Sequence, residues 1–160
     1  TVRAGRMWSP YYTTFFNIDP FGDGLLAGAT NLMGGGGYRV SSAINYVTPV
    51  MGGFYGDVTY GFGQTSAAPT AGSLYTIKTG YAAGPVDVVF AHHNQKNNVG
   101  VGGAAKSTLL GATYDFKVVK LHVGFDWLTD DTTVGGRNDG DGATVPSTST
   151  ETSIAVVVVA

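Results

Sequence analysis

The sequence predicts an all-β fold, a transmembrane antiparallel β-barrel, on the strength of three observations. Residues 118–128, VVKLHVGFDWL, alternate apolar and polar side chains, which a strand places on opposite faces. Similar segments of about ten residues recur along the chain. Their connections alternate between short turns and long polar loops, which is typical of a membrane barrel whose short turns share one end and whose long loops share the other.

The composition fits this fold better than that of a soluble enzyme. The 160 residues include 25 Gly, 9 Tyr and 8 Phe, and 12% are charged. A net charge of −2 offers no basic face to neutralise phosphates, which argues against nucleic-acid binding. The chain has no Cys, which excludes disulfides and thiolate metal sites. It also has no apolar run of about 18 residues that would form a membrane-spanning helix.

Eight strands are expected from the alternation and from the turns between them. They lie at residues 1–8, 39–48, 54–64, 73–81, 86–93, 105–115 and 118–128, and from residue 150 onward. The first two strands flank a long connection, and a Pro- and Gly-containing turn at residues 49–53 ends the second. In the third strand, Phe54 and Val58 lie opposite Asp57, and a polar loop follows at residues 65–72.

The later strands repeat the pattern. In the fourth, Tyr75 and Ile77 oppose Lys78, and Gly84 and Pro85 mark a tight turn. The fifth strand has Val86, Val88 and Phe90 opposite Asp87, and the sixth has Leu110, Ala112 and Tyr114 on its apolar face. A short turn near residues 116–117 leads to the seventh strand, and an acidic loop leads to the eighth. We expect residues 65–72, 94–104 and 129–149 to be external loops of a single domain that covers residues 1–160.

The long connection at residues 9–38 is unusually apolar for an external loop. It contains Tyr11, Phe15 and Ile18 among other large apolar residues, and such surface must be buried against something. We therefore expect it to fold back and pack on the inner wall. An eight-stranded barrel has room inside for little more than its own side chains, so an internal segment of this length implies a wider barrel. The alternative is that the segment covers an open sheet in a soluble protein.

Several short stretches, taken in order, resemble one family. They are residues 5–6, 9–10, 19–24, 39–54, 60–63, 80–85 and 110–122. At this spacing they resemble the trimeric general porins of Gram-negative bacteria, and most closely the β-proteobacterial porins of the Burkholderiales or Comamonadaceae type. The resemblance implies a 16-stranded, water-filled trimeric barrel with an inward-folded third loop. The chain would then be an internal fragment, roughly the middle half, because it begins and ends in strand-like segments and lacks the family's early strands and C-terminal aromatic residue.

The resemblance also implies a constriction in which arginines on the wall face carboxylates on the inward loop. The candidate arginines are Arg3, Arg6 and Arg39, and the candidate acids are Asp19 and Asp23. Arg3 and Arg6 have opposite parity, so we expect the first strand to break near Gly5 and to free Arg6 to turn inward. Arg39 has lumen parity if Val40, Ile44 and Tyr46 share the other face.

The alternation assigns two further sets of residues. We expect a lumen-lining set of Asp57, Lys78, Asp87, Asp115, Lys120, His122 and Asp126. We expect a set of aromatic residues at the membrane interfaces, namely Trp8, Tyr60, Phe62, Tyr75, Tyr81, Tyr114, Phe125 and Trp127.

The functional expectation is an outer-membrane porin that passes small hydrophilic solutes and ions by passive diffusion, with a mild anion preference. Its expected partners are membrane lipid and lipopolysaccharide, two further copies in a homotrimer, and the solutes themselves. We expect no enzymatic activity and no cofactor. The alternative is a closed outer-membrane barrel that acts as an adhesin or structural protein, and a barrel enzyme is a third hypothesis.

Three local motifs suggest other chemistry and are better explained structurally. Residues 100–107 approach a phosphate-binding loop, but a strand pattern follows where that loop needs a helix. His92 and His93 are adjacent on a strand and point to opposite faces, so they cannot bind one metal ion together. Residues 138–142 lack the later ligands and closing Glu of a calcium loop. We expect no metal site.

Overall fold

Eight strands form one continuous antiparallel meander in the computed structural model, which describes residues 1–21, 39–63, 70–96, 103–130 and 149–159. The strands are β1 (Val2–Trp8), β2 (Arg39–Val47), β3 (Phe54–Gly61), β4 (Leu74–Ala83), β5 (Val86–Lys96), β6 (Ala104–Asp115), β7 (Lys120–Asp130) and β8 (Ser149–Val159). Each strand pairs with its neighbours in sequence, in the order β1 to β8. The predicted number and order of strands are confirmed. Asp23 and most residues of the predicted loops lie outside the described ranges.

All strand ends lie within three residues of the expected ones, and β3, for example, ends at Gly61 rather than at residue 64. Two of the differences have a clear physical cause. β5 continues to Lys96 and β6 begins at Ala104, because their ladder runs on to the pair Lys96 and Ala104. At this end of the ladder the β5 residues 94–96 are all polar and the β6 residues 104–105 are both alanine, so alternation gave no signal. β7 begins at Lys120 rather than at residue 118, because Lys117 has a positive φ of 74° and the Phe116 N–H donates to the Val119 carbonyl oxygen at 2.9 Å. The turn between β6 and β7 is therefore slightly longer than expected.

The two faces of the sheet differ in polarity as the alternation predicted. In β5, Val88 and Phe90 are each 39% exposed, whereas Val89 and Ala91 are buried. The same alternation holds along β3, β4, β6 and β7. We call the face with the exposed aliphatic and aromatic residues the outer face. The opposite face, which is covered in part by a helix, is the inner face.

That helix, α1 (Pro10–Ile18), was not predicted as a helix. Ser9 precedes it in extended conformation, with φ −64° and ψ 134°, and Pro10 occupies the first helical position, where its missing N–H costs nothing. Tyr11, Phe15 and Ile18 recur at helical spacing and are all buried. They form the core with residues of β5 and β6. Within the described residues, no helix is long and apolar enough to cross a membrane.

The pairing of β1 with β2 is irregular where the sequence suggested a break. Gly5 has a φ of +116°, and the register shifts between Gly5 and Met7, but β1 continues to Trp8, so the strand is distorted and not broken as expected. On β2, Ser42 has a φ of 49°. Val40 is 2% exposed. Val40 therefore does not share the exposed face of Ile44 and Tyr46, and the parity argument for an inward Arg39 fails because a bulge resets the alternation.

Candidate functional site

The N-terminal half of α1 is fastened to the inner face by a buried polar contact. The Tyr11 hydroxyl donates to Asp126 Oδ1 at 2.6 Å, and the Asp126 side chain is fully buried. The Tyr11 ring lies 6.0 Å from the ring of His93, whose Nδ1 is 2.7 Å from Thr76 Oγ1. The beginning of the helix thus rests on polar groups of β4, β5 and β7.

The middle of the helix packs on an apolar strip of the wall. Phe15 and Ile18 contact a cluster of buried residues that includes Val89, Ala91 and Leu109. Gly111 lies directly beneath Ile18, and a Cβ at that position would collide with Ile18 Cγ2. Glycine is therefore required for the close approach of the helix to β6.

A polar network ties the C-terminal half of α1 to β3, β4 and β5. Lys78 Nζ donates to Asn17 Oδ1 at 2.8 Å and to the Thr13 carbonyl oxygen at 3.4 Å. Asn17 Nδ2 donates to Asp87 Oδ2 at 3.3 Å, and the Tyr55 hydroxyl donates to Asp87 Oδ1 at 3.0 Å. One Lys, one Asp, one Tyr and one amide thus link the helix to three strands, and each charged group has a polar partner.

The last residue of α1 contacts β7, and Asp19 follows it. His122 Nδ1 lies 2.8 Å from the Ile18 carbonyl oxygen, so this ring nitrogen is the donor. Asp19 is 6% exposed and accepts a hydrogen bond from the Phe21 N–H at 2.8 Å. The predicted constriction carboxylate Asp19 therefore also shapes the chain where the helix stops.

A second polar cluster lies on β1 to β3. Asn45 Nδ2 donates to Asp57 Oδ1 and, at 2.8 Å, to Thr59 Oγ1. Arg3 pairs with Asn45 across the ladder and so shares the inner face with it. Asp57 pairs with Lys78 across β3 and β4, so these two charges are neighbours on the same face. The inner face between β1 and β4 therefore carries alternating positive and negative groups.

The three candidate arginines do not lie at one level of the sheet. Arg3 pairs with Asn45, whereas Arg39 pairs with Trp8 at the other end of β2. These positions are separated by about 20 Å along the strand, at roughly 3.3 Å per residue. The Arg39 guanidinium lies 4.5 Å from the centroid of the Trp8 ring, and the Arg6 side chain is exposed at the register shift. Arg3 is the arginine that the ladder places on the same face of the sheet as Asp57.

The other two predicted sets follow the two faces. All residues of the lumen-lining set have inner parity, namely Asp57, Lys78, Asp87, Asp115, Lys120, His122 and Asp126. Aromatic residues of the interface set are exposed on the outer face, namely Tyr60, Phe62, Tyr75, Tyr81, Tyr114 and Trp127, with Phe125 half-buried. Trp8 differs, because its ring stacks on Tyr12 of α1 at a centroid distance of 5.1 Å.

Sequence reasoning missed the residues that hold the helix. Tyr11, Asn17, Tyr55 and His93 were not among the candidates, and neither was Asn45, which bonds Asp57 and Thr59 of the wall instead of the helix. For Tyr11, the Ser-Pro start and the helical spacing of the apolar residues that follow were the available signal. The partners on the wall gave no signal, because they are recognised only when the register of the sheet is known.

Three comparisons with known proteins agree with this arrangement. The family model described as "Gram-negative porin" matches residues 1–157. An outer-membrane porin of Bordetella pertussis is 31% identical over 163 residues, which cover 89% of this chain and 42% of that protein. The solved structure of an anion-selective porin from Comamonas acidovorans is similar with a TM-score of 0.67 and 30% identity, over 84% of this chain and 44% of that chain. The chain thus spans less than half the length of either relative.

Proposed function

This chain belongs to the Gram-negative porin family, and we propose that the whole protein forms a water-filled channel for passive diffusion of small hydrophilic solutes and ions. The chain is part of an outer-membrane β-barrel of a Gram-negative bacterium. The observation that carries the proposal is the position of α1 on the inner face, where polar contacts flank an apolar strip, while the outer face stays apolar. A channel needs this combination of a wet wall, a lipid-facing surface and a segment that narrows the passage.

The size of the barrel follows from the room that α1 needs. A helix on the inner face does not fit in a closed eight-stranded barrel, whose interior is filled by its own side chains. We infer that the eight strands form about half of a 16-stranded wall, in line with the share of the relatives that the chain covers. The adhesin or structural alternative predicted a short polar connection after β1, where a largely buried helix lies instead.

The charges of the inner face support a mild anion preference. Asp57, Asp87 and Asp126 each accept hydrogen bonds from neighbouring side chains, which offsets part of their negative field. Arg3 remains exposed next to this wall. We propose that Arg3, with Arg6 as a further member, attracts anions, and that Asp19 and Asp23 oppose it.

The proposed assembly has lipid and protein partners. We propose a homotrimer surrounded by membrane lipid and lipopolysaccharide, with the exposed outer aromatics at the interfaces. The inner-face charges of the lumen-lining set contact the permeating solutes. The proposal includes no bond chemistry, no cofactor and no nucleic acid.

The test is electrical and uses the full-length protein in a planar bilayer. We expect stepwise single-channel currents and, under a KCl gradient, a reversal potential that indicates anion preference. Arg3→Ser should shift that potential towards cation preference, whereas Lys117→Gln, in the exposed turn between β6 and β7, should not. Absence of current would refute the channel, and equal reversal potentials for wild type and Arg3→Ser would refute the role of Arg3.

A further inference from the structure

Three aromatic side chains form a continuous row that runs from the end of β1 along α1. They are Trp8, Tyr12 and Phe16, and we call them the aromatic row. The Trp8 ring stacks on the Tyr12 ring at a centroid distance of 5.1 Å, and Tyr12 meets Phe16 edge to face at 5.3 Å. Tyr12 and Phe16 are four positions apart, so they lie on one side of the helix, one turn from each other.

The two ends of the aromatic row are accessible to solvent. Trp8 is 45% exposed and Phe16 is 46% exposed, whereas Tyr12 between them is buried. Phe15 and Ile18 hold the helix against the wall, and Phe16 is the one residue of α1 that is exposed rather than buried or half-buried. Phe16 therefore presents its ring to the proposed passage and not to the wall.

Arg39 adds a positive charge at the Trp8 end of the aromatic row. Its guanidinium lies 4.5 Å from the centroid of the Trp8 ring, and its side chain is exposed. A guanidinium carries its N–H donors in one plane, and this fork matches the two oxygens of a carboxylate. A carboxylate bound there would lie directly beside an accessible aromatic ring.

The Trp8 end of the row lies at the external mouth of the barrel. Trp8 ends β1 and Arg39 begins β2, whereas the short turns between β2 and β3, β4 and β5, and β6 and β7 lie at the opposite end of the sheet. Such turns are periplasmic in outer-membrane barrels. Arg39 is therefore separate from Arg3, which pairs with Asn45 near the other end of β2. From the mouth, α1 leads the aromatic row along the inner face.

A cation next to accessible rings favours one class of solute. An inorganic anion uses the charge of Arg39 but gains nothing from the rings. A neutral solute contacts the rings but leaves the charge unused. An aromatic carboxylate uses both, because its carboxylate accepts hydrogen bonds from the guanidinium while its ring packs against an aromatic side chain.

We propose that Arg39 and the aromatic row form a subsite for aromatic carboxylates of about the size of benzoate at the external mouth. Arg39 binds the carboxylate, Trp8 contacts the ring beside it, and Phe16 offers the next aromatic surface as the solute moves inward. Tyr12 is a positioning residue, because it is buried and contacts both neighbouring rings. The inference names a solute class for the proposed channel and rests on that channel.

The test uses the full-length protein in a planar bilayer with KCl on both sides. The quantity measured is the concentration of added benzoate that gives half of the maximal decrease in chloride conductance. Cyclohexanecarboxylate is the matched control solute, because it has the same charge and a similar size but no aromatic ring. An aromatic pair is favoured about two- to tenfold beyond its buried area, so benzoate should act at a concentration at least about twofold lower.

Three variants separate the charge from the rings. Arg39→Gln should raise the half-maximal concentration about fivefold for both solutes, as expected for an exposed ion pair. Phe16→Leu keeps an apolar side chain without a ring, so it should raise the value about threefold for benzoate alone. Phe62→Leu is the matched control and should change neither value, because Phe62 is 50% exposed on the outer face.

Four results would overturn the inference. Equal half-maximal concentrations for benzoate and cyclohexanecarboxylate in wild type would exclude the aromatic row, and this comparison needs no variant. Equal benzoate values for wild type and Arg39→Gln would exclude Arg39. An effect of Phe62→Leu as large as that of Phe16→Leu would place the benzoate contact on the outer face. A normal chloride current without any effect of benzoate would refute the subsite alone, whereas absence of chloride current would refute the channel and the subsite together.

Discussion

Replacing Gly111 by alanine is expected to push α1 away from the wall and to narrow the proposed channel. The new Cβ would lie well inside van der Waals contact of Ile18 Cγ2, and it would lie 3.3 Å from Val89 Cγ1. Val89 belongs to the hydrogen-bonded ladder of β5, which holds its backbone in place. The helix is therefore the part that moves.

The size of the effect follows from ordinary packing distances. Non-bonded carbon atoms prefer a separation of about 3.5–4.0 Å, so relief of the contact requires a shift of Ile18 by about 1–2 Å. Overpacking of this kind costs about 1–3 kcal/mol of stability. A shift of this size away from β6 directs the helix into the lumen, because α1 lies between the wall and the proposed passage.

The assay combines single-channel conductance with thermal denaturation of the full-length protein. Gly111→Ala should lower both the conductance and the melting temperature. Adding Ile18→Ala removes the colliding methyl group and should restore the conductance towards the wild-type value. Leu110→Ala is the matched control, because Leu110 directly precedes Gly111 in β6 but lies on the outer face. It should leave the conductance unchanged.

Two results would refute this reasoning. A wild-type conductance for Gly111→Ala would mean that α1 does not limit the current. A reduced conductance that Ile18→Ala fails to restore would mean that the effect arises elsewhere than in the contact with Ile18. Because the three substitutions change no charge, selectivity should be the same in every variant.

Three further predictions concern the contacts of α1 and the wall. Tyr11→Phe removes the hydrogen bond to buried Asp126 and should lower the free energy of unfolding by about 1–3 kcal/mol, measured by denaturant titration in detergent; no loss would show that Asp126 does not need this donor. Lys78→Met and Asn17→Ala each break the same 2.8 Å contact, so their effects on thermal stability should be less than additive, and strict additivity would contradict the network. Arg6→Ser should reduce anion preference in the reversal-potential assay, because Arg6 is an exposed cation at the register shift of β1, and an unchanged potential would exclude Arg6 from the passage.

The sequence predicted the wall of this protein better than the segment inside it. The alternation in residues 118–128 put His122 and Asp126 on one face of the strand, and in the structure both contact α1. Alternation is a local property, because each side chain is related to the next by the geometry of a single strand. The alternation gave the wrong face at Arg39, because a bulge in β2 shifts the parity and no residue type in the sequence indicates that bulge.

The apolar content of residues 9–38 predicted burial, which the structure shows for α1, and the alternating short and long connections predicted the meander. The tertiary structure alone decided where the helix lies and what holds it. The bond from Tyr11 to Asp126 joins residues 115 positions apart, and that from Lys78 to Asn17 joins residues 61 positions apart. Such partners depend on the register of several strands at once, and small residues such as Gly111 matter because of what lies above them. The residues next to these positions in the sequence indicate neither the distant partner nor the close approach of the helix.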